Sequence, residues 1–286
     1  MDRREFLTST VAIGAAAGAH GAASAASLEG GAAGGPADRQ GSGTMTQAGT
    51  AERMYFELRR YELRQGPMVD RMHEYLKTVS IPALNRAGIA TVGAFTPSFG
   101  ALSPSIYLFL PHASLQAFAG TQAKLSADAE FQKAAEAHGS LPATDPAYLR
   151  IHSQLMGATV FMPSVEVPPA AQGDKPRIFE LRTYESHSLK ARRMKLQMFG
   201  ELGELAIFRR TGLRPVFFGD NLIGDRLPSF TYMLTFDDMA AREKNWGAFI
   251  GDSEWLTLRA KPGYTDPEIV SNITSIILRP TAYSQI

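Results

Sequence analysis

The segment "YFELRRYEL" at Tyr55 returns as "IFELRTYES" at Ile178, so that Glu57, Leu58, Arg59 and Tyr61 reappear 123 residues later as Glu180, Leu181, Arg182 and Tyr184. Further pairs follow in the same order. "NRAGI" at Asn85 answers "RRTGL" at Arg209, and "IYLFL" at Ile106 answers "TYMLTF" at Thr231. "DAEF" at Asp128 answers "DSEW" at Asp252, and "VFMP" at Val160 answers "ILRP" at Ile277. Ordered matches at nearly constant spacing are the mark of a duplicated unit. The chain is therefore expected to fold as two similar domains, 53–164 and 177–286, joined by the Pro- and Gly-bearing linker "VEVPPAAQGDKP" over 165–176.

Each copy reads β-α-β-β-α-β. In the first, strand residues near Tyr55–Leu63 precede a helix over Pro67–Arg86, whose Met68, Met72, Leu76, Val79 and Leu84 fall close to helical spacing. Gly88 stands where a helix-terminating glycine belongs. Strands near Ile89–Thr96 and Ser105–Leu110, a helix over Ser114–His138 and a strand over Arg150–Met162 complete the unit. This order is the split βαβ, ferredoxin-like arrangement. The predicted class is α+β: two tandem ferredoxin-like repeats packed as a pseudo-dimeric α/β barrel.

The segments "FELRTYE", "RRTGLRPVFFG", "YMLTFDDMAARE" and "DSEW" resemble the NIPSNAP family, over both halves and most strongly in the second. The resemblance implies dimeric α/β-barrel domains with their sheets face to face. The family's activity is poorly defined, so the resemblance implies a fold more than a reaction. The first copy departs from the pattern, with Phe131 in place of Trp255 and a longer, Pro-containing stretch over Ser140–Tyr148.

Because side chains alternate along a strand, Phe56 and Leu58, with Phe179 and Leu181, are expected under the helices. Glu57, Arg59 and Tyr61, with Glu180, Arg182 and Tyr184, are then expected where the two sheets meet. Buried charges need partners, so Glu–Arg pairs capped by tyrosine hydroxyls are predicted. Two roles stand open for this set. One is fixing the register between the halves; the other is gripping a small polar or anionic molecule, for which arginine is suited. His73, on the first helix, is a further candidate for a cleft. The run "KARRMK" at Lys190–Lys195 reads as a solvated helix face, and Trp246, Phe249 and Trp255 as core.

Composition narrows the function classes. A net charge of +1 gives no support to a nucleic-acid partner. With no cysteine, thiolate metal sites, disulfides and a cysteine nucleophile are excluded. The six histidines are scattered without metal-ligand spacing, and no nucleophile elbow, P-loop or dinucleotide fingerprint occurs. No metal or cofactor is assigned from sequence.

The N-terminus has its own logic. Arg3 and Arg4 precede Phe6 and Leu7, an Ala/Gly-rich apolar run and Ala23-Ser24-Ala25. This order predicts a twin-arginine export signal over 1–25, read by the twin-arginine translocase, with cleavage after Ala25 and a bacterial periplasmic or secreted destination. The run is too short for a stable membrane span. Residues 26–52 are predicted to be a disordered linker. Three functions remain open: a binding or accessory protein enclosing a small, partly apolar molecule; a monooxygenase-like or haem-handling enzyme; and a homo-oligomer acting through its surface.

Overall fold

A computed structural model describes residues 53–98, 100, 102–169 and 177–286. The predicted export signal, the segment up to residue 52 and most of the inter-copy linker lie outside the described residues. The first copy runs β1 (Tyr55–Glu62), α1 (Pro67–Tyr75), α2 (Ile81–Arg86), β2 (Gly93–Pro97), β3 (Ser105–His112), α3 (Leu115–Ala127), α4 (Ala129–Gly139) and β4 (Arg150–Ala158). The second runs β5 (Ile178–Glu185), α5 (Leu189–Gly200), α6 (Glu204–Arg210), β6 (Arg214–Ile223), β7 (Ser229–Phe236), α7 (Met239–Ile250), α8 (Ser253–Arg259), α9 (Asp266–Ile269) and β8 (Asn272–Pro280).

Two expected helices are divided. The first carries a π-helical turn, Leu76–Ser80, between α1 and α2. The second breaks at Asp128, whose extended backbone ends α3 while its carboxylate accepts from the Phe131 amide and starts α4. Asp252 does the same for α8. Each of these aspartates also takes a clamp from an earlier helix, Arg86 of α2 to Asp128 and Arg210 of α6 to Asp252. The repeated "DAEF" and "DSEW" are thus helix-start signals.

Within a copy the strands lie in the order β4-β1-β3-β2, and in the second β8-β5-β7-β6. The outer strands of one copy pair with those of the other, β2 with β8 and β4 with β6, all antiparallel, closing an eight-stranded barrel. At the β4–β6 seam Gly219 lets the strands approach, since a Cβ there would meet Met156 at 2.7 Å. The register corrects one sequence match. Glu57 faces Leu155 and Glu180 faces Ile277, so Ile277 corresponds to Leu155 and the "VFMP"/"ILRP" pairing was coincidental.

The barrel has three apolar layers. One lies beneath the first copy's helices and one beneath the second's. The third fills the bore with side chains from all eight strands, among them Phe56, Leu58, Phe95, Phe109, Phe179, Leu181 and Phe217. The expected facing is therefore reversed. Phe56, Leu58, Phe179 and Leu181 point into the bore, and the Glu–Arg–Tyr ladders point outward under the helices. The reason is volume: a small eight-stranded barrel has a bore that side chains fill, and here aromatic rings do so. Phe109 of the first copy stacks on Phe217 of the second with centroids 4.3 Å apart, and Phe95 meets Phe179 edge-on at 4.9 Å.

Truncating one of these rings leaves a hole that rigid strands cannot collapse. Phe217→Ala is expected to cost about 3–5 kcal/mol in urea unfolding; a loss below about 1 kcal/mol would contradict a solid bore.

Candidate functional site

The two repeated ladders keep their partners within each copy. In the first, Arg59 binds both oxygens of Glu57, with Nη2 at 2.9 Å from Oε2, and the Ser153 hydroxyl donates at 2.8 Å. His112, from β3, lies 3.7 Å away. Burial alone would raise the Glu57 pKa, but the contacts from His112, Arg59 and Ser153 outweigh it and hold the carboxyl at about 2.

Glu180 is more heavily bonded. Arg182 donates at 2.8 Å and Ser275 at 2.6 Å, as their counterparts do in the first copy. The helix α7 adds a bidentate Arg242 at 2.7 and 2.8 Å and the Trp246 indole at 2.8 Å. Burial is again outweighed, here chiefly by Arg242 and Ser275, and the pKa falls to about 2. Arg182 also lies 4.7 Å over the Trp246 ring and donates to the Tyr184 hydroxyl at 3.3 Å. Tyr61 meets Tyr148 edge-on at 5.7 Å. These six side chains thus form two separate clusters, each tying a first strand to its own last strand, and they do not converge on one another.

His73 does not reach the bore. It shares a 2.7 Å hydrogen bond with the Tyr283 hydroxyl, and burial lowers its pKa.

The charge run "KARRMK" departs from its expected solvated face. Lys190 and Arg193 are exposed. Lys195, however, is buried beneath α5, with Glu204 at 3.3 Å and Asp266 at 3.5 Å. The rings of Tyr184, Phe199 and Trp255 surround its ammonium at 5.3–5.6 Å. Burial pushes the Glu204 carboxyl up to about 7, with Lys195 offsetting part of the effect. The first copy places Met72 at the position of Lys195, Ser80 at that of Glu204 and Leu108, opposite Arg59, at that of Tyr232, opposite Arg182. The fold accommodates uncharged side chains at these places. The pair was legible only in that comparison, since a lysine 123 residues after a core methionine is a buried lysine.

One end of the barrel is open. There the bore's inward positions turn from apolar to polar and line a cavity of about 180 Å³. It is lined by the apolar Leu58, Leu181 and Ile276 with Tyr107, by the polar Arg60, His152, Ser153, Gln154, Thr183 and Thr274, and by Leu102, Asp225 and Arg226 on the flanking loops. Below the polar layer, the Gln154 amide nitrogen donates to Asn221 at 2.7 Å and to Thr231 at 2.9 Å, and Thr183 meets Thr231 at 2.9 Å. At the rim, His152 Nε2 lies 2.7 Å from Glu62 and its Nδ1 3.8 Å from Asp225. Arg226 reaches across to Glu185 at 2.9 Å and Thr274 at 2.8 Å.

This mouth is where the two copies differ. Strand register sets Arg60 against Thr183, Tyr107 against Thr231, and His152 against Thr274. Sequence reasoning missed the mouth because it assigned the inward face to the helices.

The model of one protein family, NIPSNAP, matches residues 56–163 and again 179–285. The chain belongs to the NIPSNAP family. Comparison of this NIPSNAP protein with curated proteins gives no match. Among solved structures it is similar to a candidate monooxygenase from Fusobacterium nucleatum, at 5% identity over 80% of this chain and 93% of that one, with a TM-score of 0.51. A candidate monooxygenase from Lactobacillus acidophilus aligns at 9% identity over 82% and 99%, with a TM-score of 0.50. An uncharacterised NIPSNAP-like domain protein from Burkholderia xenovorans aligns at 23% identity over 38% and 88%, with a TM-score of 0.34. At these identities the likeness is one of fold. Among the described residues of this NIPSNAP chain, no three His, Asp or Glu side chains are grouped to hold a metal ion, and no helix is long and apolar enough to cross a membrane.

Two predictions follow from the buried charges. Glu57 and Glu180 have folded pKa values below their ordinary 4.5, so their stabilisation is complete above pH 4.5 and lost as pH falls toward 2. About 3 kcal/mol per carboxylate is at stake. Glu180→Gln is expected to be less stable than the parent at pH 7 and to lose less further stability between pH 5 and pH 2.5 in urea titrations. The second concerns Lys195 and Glu204. Lys195→Met alone leaves the buried Glu204 without its main partner, so the carboxyl takes up a proton, and the variant should be less stable by about 1–3 kcal/mol. The double variant Lys195→Met, Glu204→Leu should be at least as stable as the parent, measured by the same unfolding curves.

Proposed function

We propose that this NIPSNAP protein is an exported binding protein that holds a small, partly apolar molecule in the open mouth of its barrel. The observation that carries this reading is the cavity's construction: aliphatic side chains and a tyrosine beside arginine, histidine, glutamine and threonine. Apolar pockets with a few convergent polar groups are the usual form of small-molecule sites. The middle of the bore is solid, so a ligand rests on its top layer and does not thread it. The mismatch between the copies supports the same conclusion. Groups needed to close the barrel occur in both, whereas the mouth's arginine, tyrosine and histidine occur once. Export is supported by the order of Arg3-Arg4, apolar run and Ala23-Ser24-Ala25. The fold likeness to candidate monooxygenases does not fix a function, and no arrangement in the mouth favours oxygen chemistry.

The test is native mass spectrometry of the protein purified from the exported fraction of its own host. The expected result is an excess mass that disappears on denaturation and is absent from Thr274→Trp, which fills the mouth. A bare mass for both proteins, with no shift in melting temperature on adding a small-molecule extract of the host, would overturn the reading.

A further inference from the structure

Resting on that reading, we propose that the molecule held in the mouth carries a single carboxylate and that Arg60 receives it. Arg60 is one of the protein's enclosed arginines. Its side chain is only 16% exposed, and its one ionic contact among the described residues is Glu62, two residues along the same strand face, with Nη1 at 2.9 Å from Oε1. Arg59 and Arg242 each hold a carboxylate through two nitrogens, whereas Arg60 meets Glu62 through Nη1. The same Glu62 oxygen is already bonded to His152 at 2.7 Å. A guanidinium has five N–H donors in a planar fork that matches a carboxylate. Here that fork borders a cavity and meets the protein through Nη1.

The barrel does not require an arginine at this position. Its counterpart in the second copy is Thr183, on an otherwise equivalent strand. The surroundings set the rest of the ligand. Leu58, Leu181 and Ile276 offer a short apolar surface, which suits a compact hydrocarbon or aromatic body. Glu62 and Asp225 stand at the rim with Arg226, and the two carboxylates oppose a phosphate dianion more than a monoanion. A carboxylate on Arg60 then adds a second charge-assisted contact beside the one to Glu62.

Isothermal titration of the full chain with phenylacetate and with its neutral isostere 2-phenylacetamide tests this. In the wild type, phenylacetate is expected to bind with one-to-one stoichiometry and at least tenfold more tightly than the amide. In Arg60→Met that preference disappears, with the melting temperature checking that the variant is folded. Arg60→Lys, which keeps the charge and loses the fork, should fall between them. Thr274→Trp should abolish binding of both probes. Equal affinity of acid and amide in the wild type, with Thr274→Trp still abolishing both, would overturn the carboxylate assignment and leave the cleft. Binding that Thr274→Trp does not touch, or no binding of either probe, would overturn both.

Discussion

Everything in this structure depends on the closure of two four-stranded sheets onto one another. A ferredoxin-like unit covers one face of its sheet with helices and leaves the other face apolar, with two unpaired edges. Here each copy offers the same solution to the other. β2 pairs with β8 and β4 with β6, so both edges are satisfied and the uncovered faces become one bore. The phenylalanines that fill it belong to both copies and meet across the centre. Neither copy therefore has a complete core by itself. The duplication is a single cooperative barrel written as two halves, and the helices outside it form two independent packing layers.

Closure also explains what was legible in the sequence. Duplication, strand order and class could be read because the strand motif and the turn and cap residues recur at constant spacing. The inward face could not. Alternation divides Phe56 and Leu58 from Glu57, Arg59 and Tyr61, but both faces of these strands are buried, one in the bore and one under helices. Charge then argues for the wrong side. Partners for Glu180 come from α7, through Arg242 and Trp246, and a helix layer can supply such long donors while a bore crowded with aromatic rings cannot. Residues distant in sequence decided the matter, and no local pattern announces them. Lys195 was hidden differently. It sits in a run of four basic residues, three of which lie outside the core, and only its alignment with Met72 separates it from its neighbours.

A duplicated chain carries its own control for which polar groups the fold needs. The Glu–Arg pair and the serine that bonds it, Ser153 or Ser275, are present in both halves and tie the first strand to the last in each. These are closure groups. Asp128 and Asp252, each starting a helix and each clamped by an arginine, are another shared device. Their recurrence accounts for the family resemblance without reference to any ligand.

The unshared polar groups are of two kinds, and burial separates them. Lys195 and Glu204 replace Met72 and Ser80 inside a dry core, where an ion pair gains little over apolar packing and is costly to break. Its consequence is confined to the second helix layer, which Lys195 links to α9 through Asp266. Arg60, Tyr107 and His152 replace threonines at the barrel's open end, where each keeps a surface toward a cavity. In the first place a charge is sealed among protein groups; in the second a guanidinium paired with Glu62 borders a cavity. The proposed ligand would engage the second and has no counterpart in the first.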